Sequence, residues 1–231
     1  MSPSQLTLGI KLSDDARFGN FHGAGNAEAA GRLSAALGTE DPLPVVLGGD
    51  EDTGKSHLLQ AACHDAEARN ESAICISMDE LLPSGPGALA SLEQFALVAL
   101  DDLDRVVGDA QWEEALFHLY NRVSDQNHRL LVTMGEPPAV AGFVLPDLQS
   151  RLRHGLLIQL GIYRDDDRLT ILQARAEQRG LDLSDEVAGF IMRRAPRRLG
   201  ELLAILDRLD DNSLQAQRRL TIPFVKSVLG W

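Results

Sequence analysis

Lysine is almost missing from this chain: Lys11, Lys55 and Lys226 stand beside nineteen arginines. Cysteine is scarcer still. Cys63 and Cys75 lie in apolar stretches with no CxxC partner, which excludes a disulfide framework and a cysteine metal site and reads as reduced core thiols in a cytoplasmic protein. No run of eighteen apolar residues exists, and MSPSQLTLGIKL lacks the charged-then-apolar order of a signal peptide, so no membrane partner is expected. There is no internal repeat and no low-complexity tract, and Pro83–Gly87 is the single Pro/Gly cluster. Positive charge is missing where a DNA-holding face would need it. Residues 1–163 carry ten basic against twenty-three acidic groups, whereas residues 164–231 carry twelve against eleven. A surface that grips duplex phosphates shows the opposite balance, so contact with DNA is expected only indirectly.

What remains is an ordinary globular composition, 44% hydrophobic and 24% charged over 231 residues, enough for one large domain or one large and one small. Short continuous apolar runs at Pro44–Leu47, Ala73–Ser77, Phe95–Leu100, Leu130–Thr133 and Leu156–Leu160 have the character of parallel strands buried on both faces. Helical spacing fills the gaps. In Ala110–Gln126, Trp112, Ala115, Leu116, Leu119, Tyr120 and Val123 recur at three- and four-residue steps. After Gly161 only helices are predicted: Asp165–Arg179, Ser184–Arg194, Arg198–Asp210 and Pro223–Leu229, with Gly180 and Pro196 as breaks. The expected fold class is α/β, a three-layer core on a parallel sheet followed by a small all-helical lid.

One lysine falls at a telling place. Gly49-x4-Gly54-Lys55-Ser56 follows the first strand and opens a helix over Ser56–Arg69. Backbone N–H groups of such a loop, with the helix N-terminus, face a β-phosphate. Lys55 reaches the outer phosphate oxygens and the Ser56 hydroxyl is a Mg²⁺ ligand. With three lysines in the chain, a chance match is rare. The strand Phe95–Leu100 then ends in Asp101 and Asp102. A carboxylate there, beside a P-loop, holds Mg²⁺, which places Asp101 on the metal; Asp102 is the candidate for orienting an attacking water. Without the P-loop the same acids would read as a solvated strand end.

Together these stretches resemble the AAA+ domain of the DnaA-like family of bacterial replication proteins, along almost the whole length. GKSHLLQAA is similar to the family's P-loop helix, LVALDDLD to its acidic strand and LVTMGEPP to its sensor 1 loop. PDLQSRLRHGL looks like the arginine-finger segment, which puts the finger on Arg151. PRRLGELLAIL resembles the sensor 2 helix, which puts a nucleotide-facing arginine on Arg197. The resemblance implies a nucleotide site of Gly49, Thr53, Gly54, Lys55, Ser56, His57 and Arg197, holding ADP or ATP with Mg²⁺. RRLTIPFVKSVL and the opening Gln5-Leu6-Thr7-Leu8-Gly9-Ile10 are similar to the two ends of the small regulatory members of the family. There the opening hexapeptide binds the sliding clamp (the β subunit of DNA polymerase III), with Gln5, Leu6 and Leu8 as its anchors.

The division this implies is a flexible clamp-binding tail over residues 1–12, an AAA+ core over 13–162 and a helical lid over 163–231. No helix-turn-helix follows the lid, so the expected role is regulatory rather than that of an initiator. Tethered to the clamp, such a protein offers Arg151 to ATP bound on DnaA and promotes its hydrolysis; self-association stays open. Gly135 stands at the sensor 1 position and brings no side chain to orient a water, so weak hydrolysis in the chain's own site and resident ADP are expected. Asp50, Glu51 and Asp52 in the phosphate loop read either as charges that repel a triphosphate more than a diphosphate or as carboxylates turned to water. Two alternatives stay open, a helicase-loader-type AAA+ factor and a free-standing P-loop ATPase or kinase.

Overall fold

The computed structural model describes residues 16–23, 25–39, 43–216 and 220–231. The hexapeptide anchors Gln5, Leu6 and Leu8 lie outside the described residues. Two compact units form. The first, Glu28–Leu160 with residues 16–21, is an α/β layer structure. The second, Gly161–Trp231 with His22–Ala27, is helical.

In the first unit the elements run α1 (Ala27–Leu37), β1 (Val45–Gly48), α2 (Lys55–Ala68), β2 (Ala73–Ser77), α3 (Met78–Leu81), β3 (Leu97–Asp101), α4 (Ala110–Asp125), β4 (Arg129–Met134), α5 (Pro146–His154) and β5 (Leu156–Gln159). The strands pair in parallel in the order β2-β3-β4-β1-β5. All five apolar runs read from the sequence are strands, with ends shifted by a residue or two, as hydrogen-bonding limits commonly differ from hydropathy limits.

Strands β1 to β4 feed two cores, whereas β5 feeds one and leaves Leu157 exposed. Val45 and Leu47, Leu97 and Ala99, Leu131, and Ile158 pack with α1 and α2 on one face. Val46, Val98 and Leu100, and Leu130, Val132 and Met134 pack with α3, α4 and α5 on the other. That is why β1 to β4 read as unbroken apolar runs rather than as alternation. The α2 helix meets the sheet with small residues, Ala61, Ala62, Cys63 and Ala66, which bring it close. The two cysteines are buried free thiols, Cys63 on α2 and Cys75 on β2. A hydrogen bond with Cys75, then burial, pushes the Cys63 thiol far above its ordinary range.

The second unit holds α6 (Asp165–Gln178), α7 (Asp185–Arg194), α8 (Leu199–Ala216) and α9 (Ile222–Leu229), around Leu172, Ala176, Val187, Ile191, Leu202, Leu206, Leu209 and Val225. Ser184 caps α7 and Thr221 caps α9, each accepting a first-turn N–H. No helix among the described residues is long and apolar enough to cross a membrane.

A P-loop and an arginine helix at opposite strand ends

The loop after β1 is shaped by positions no ordinary side chain fills. Gly49 has φ of 152°, and a Cβ there would sit 2.8 Å from Thr53 Oγ1 and 3.0 Å from the Leu160 carbonyl oxygen. Gly54 takes the left-handed conformation (φ 94°) and caps α2 without a side chain, so the first N–H groups of that helix stay open to an anion. Thr53 is buried and its hydroxyl donates to the Asp50 carbonyl, closing the turn (2.8 Å). Lys55 lies beneath: its Nζ donates to the carbonyls of Gly49 (2.6 Å) and Asp50 (2.8 Å). An ammonium carries three donors, so one remains for a phosphate oxygen. Ser56 is exposed in the first turn. His57 turns elsewhere, its Nε2 lying 3.0 Å from the Arg17 carbonyl and its ring 5.6 Å from that of Phe21. Asp50, Glu51 and Asp52 are exposed.

Beside this loop β3 delivers the acids. The Thr133 hydroxyl, fully buried on β4, donates to Asp101 Oδ1 (2.5 Å) and accepts the Asp102 N–H (2.8 Å). Thr133 thereby fixes one oxygen of Asp101 and leaves the other to turn outward. Asp102 sits at φ 58°, ψ 53°, where the chain turns out of the strand. Burial, reinforced by Asp101, raises the Asp102 carboxyl above the usual aspartate range, while Lys55 and Arg105 pull it back. Among the described residues no group of three His, Cys, Asp or Glu side chains stands ready to hold a metal alone. Mg²⁺ in a phosphate site asks for less: one or two hard oxygen ligands, with water and phosphate completing the octahedron. The Ser56 hydroxyl and the Asp101 carboxylate fit that donor set. At the Gly135 position a carboxylate does arrive, from another strand end. Asp104 accepts the Gly135 N–H (2.6 Å), and its Oδ2 lies 3.7 Å from where a Cβ of residue 135 would be.

Arg151 sits in the last turn of α5. Leu148 and Leu152, four apart, are buried and hold the helix on the core. The Arg151 guanidinium is exposed and lies 5.7 Å from the Tyr120 ring centroid on α4. Arg151, Arg153 and His154 share the helix C-terminus, where positive charge complements the dipole. Gly155 leads directly into β5, whose first residue Leu156 pairs with Val45 at the start of β1. The P-loop begins beyond Gly48, at the other end of the same strand. Arg151 and Lys55 therefore occupy opposite ends of the sheet. Arg197, in the helical unit, is 80% exposed and its guanidinium lies 3.8 Å from Asp165.

Sequence reading missed Thr133, Asp104 and one further carboxylate, Glu113. The first had a signal: a threonine closing a buried apolar strand beside two acids. Asp104 had none, because only folding brings it to Gly135.

A parallel sheet carrying a P-loop on its first strand and acids on its third, followed in sequence by a helical unit, is the P-loop fold of the AAA+ class. A family model described as "Hda, lid domain" matches residues 165–229. The chain is similar to domain III of the Thermotoga maritima replication initiation protein DnaA, at 20% identity, a TM-score of 0.79, and coverage of 96% of this chain and 98% of that one. AMPPCP-bound DnaA from Aquifex aeolicus matches at 23% identity and a TM-score of 0.71, over 89% of this chain and 68% of that one. The Thermotoga maritima Holliday junction branch migration motor RuvB shares the fold more distantly, at 18% identity and a TM-score of 0.69, over 95% of this chain and 73% of that one. Residues 165–229 are thus similar to the Hda lid, and the chain as a whole shares the AAA+ fold of DnaA domain III.

Proposed function

We propose that this protein is a negative regulator of replication initiation that binds ADP with Mg²⁺ and supplies Arg151 in trans to ATP held by DnaA. The observation that carries this reading is the separation of two chemistries at the two ends of one sheet. The P-loop with Lys55, Ser56 and Asp101 is a site for the chain's own nucleotide. Arg151 is an exposed cation braced on Tyr120, too far along the strands to serve that nucleotide, and is presented to a partner. The match of residues 165–229 to the Hda lid supports placing that partner in the DnaA family. A finger supplied in trans neutralises charge that grows on the transferred phosphoryl group, an effect of roughly 10³–10⁵ in rate when well aligned. Tethering to the sliding clamp through Gln5, Leu6 and Leu8 adds no chemistry; it raises the local concentration of the finger where clamps sit on DNA. In this reading Arg197 contacts the nucleotide from the lid, and Asp102 governs the slow turnover of the chain's own site.

The test is single-turnover hydrolysis of ATP pre-bound to DnaA, with clamp loaded on DNA. Arg151→Ala is expected to keep ADP affinity and melting temperature and to lose the stimulation. Arg151→Lys restores little, because a point charge does not reproduce the planar fork that grips two oxygens. Full stimulation by Arg151→Ala refutes the finger and turns attention to Arg153.

A further inference from the structure

Glu113 is the one carboxylate among the described residues that is wholly buried, at 0% exposure, and it has no cation partner. Its hydrogen bonds go to backbone on both sides of α4. Oε1 accepts the N–H of Gly108 (2.7 Å) and of Val144 (3.2 Å), and Oε2 accepts the N–H of Leu145 (2.6 Å). Gly108 lies in the turn that leaves the acidic segment Asp101–Asp104 and opens α4, with φ of 91°. Val144 and Leu145 are the last residues before α5, and Leu145 is the N-cap position of that helix, with no side-chain cap of its own.

A single side chain therefore joins the exit of the acidic segment to the entrance of the arginine helix. The approach to α5 rests Ala141, Phe143 and Leu145 on the core but otherwise has few polar anchors. Val140 and Val144 are exposed, and the main polar tie besides Glu113 is the Gln149 amide, which donates to the Pro138 carbonyl (2.8 Å). Burying a carboxyl group is costly unless its oxygens are satisfied, and a buried apolar side chain would pack here with less difficulty. What the carboxyl provides that an apolar residue does not is two acceptor atoms aimed at two separate segments.

We infer that Glu113 is the positioning residue for Arg151: it fixes the first turn of α5 against α4 and thereby the direction in which the guanidinium is presented. Tyr120, two turns along α4 from Glu113, carries the other contact to Arg151, so α4 holds the arginine helix at both ends. This rests on the reading of Arg151 as a finger. Presentation matters because a displacement of about 1 Å at a transition-state contact is enough for roughly 10²-fold in rate.

Two measurements test it. In the wild-type protein, amide hydrogen exchange should show Gly108, Val144 and Leu145 protected together, although the last two lie in an irregular segment. Exchange of Leu145 at the rate of the neighbouring exposed loop would overturn the proposal without any substitution. Glu113→Gln keeps shape but sets an NH₂ against one of the backbone donors. It should release Leu145, or Gly108 and Val144, in the same experiment while ADP affinity stays unchanged. In the DnaA-bound ATP assay its plateau rate should fall about tenfold or more, with the concentration giving half the plateau unaltered. A merely structural defect would lower the folded fraction, moving the half-saturating concentration and leaving the plateau. Full plateau in Glu113→Gln beside an inactive Arg151→Ala sinks this inference alone. Full stimulation by Arg151→Ala sinks the finger reading and this inference with it.

Discussion

Lys55 donates to two carbonyls of the loop it follows and keeps one N–H in reserve, so the loop is pre-formed around its only mobile cation. A phosphate entering this site meets fixed donors and forces little rearrangement. Lys55→Ala is therefore expected to lose ADP binding, and Arg197→Ala to weaken it, with calorimetric titration as the measurement. The same experiment has a thermal counterpart. ADP at about one hundred times its dissociation constant stabilises the folded state by roughly 2.7 kcal/mol, since only the folded chain binds it. Wild-type protein should melt higher with ADP and Lys55→Ala should not. Equal binding by the two proteins would remove the site from this loop.

At the scale of elements, the junction between α5 and β5 sets where the arginine helix stops. Gly155 has an ordinary φ of −72°, so its requirement is steric rather than torsional. A Cβ there would lie 2.2 Å from the Pro44 carbonyl oxygen, which is also the acceptor for the Leu156 N–H that starts β5. Gly155→Ala must push β5 from the edge of β1 or shift the end of α5. It is expected to cost about 2 kcal/mol, the range for forced overpacking, read by urea denaturation. An unchanged transition midpoint would show that Pro44 yields without cost. The α5 helix also shows where local pattern is weak. Nine residues offer the sequence reader only Leu148 and Leu152 as an apolar pair, and the tertiary core supplies the rest through Leu145, Phe143 and the carboxyl of Glu113.

For the whole molecule, the proposed tether and the folded units should be separable. Replacing Gln5, Leu6 and Leu8 by alanine is expected to abolish capture by purified sliding clamp while leaving the melting temperature unchanged. Retained clamp affinity in that triple variant would move the contact onto a folded surface. Residues alone determined a good deal. Five apolar runs became five parallel strands; β1 to β4 are buried on both faces, which erases alternation, while β5 buries only one face. The P-loop was legible because its chemistry lies in consecutive residues, with glycines whose backbone conformations exclude other side chains. The helical unit was legible for a similar reason: its helices alternate apolar stripes with polar caps such as Ser184 and Thr221. Other features existed only once the chain had folded. Thr133 orients Asp101 across thirty-two residues of sequence, Asp104 reaches Gly135 across thirty-one, and Glu113 meets Leu145 across thirty-two. No local periodicity encodes such pairs, because a hydrogen bond between neighbouring strands or between a helix and a distant loop depends on strand order. That order, β2-β3-β4-β1-β5, puts β4 between the P-loop strand and the acidic strand, so a β4 hydroxyl steadies the acid while Arg151 falls at the far end.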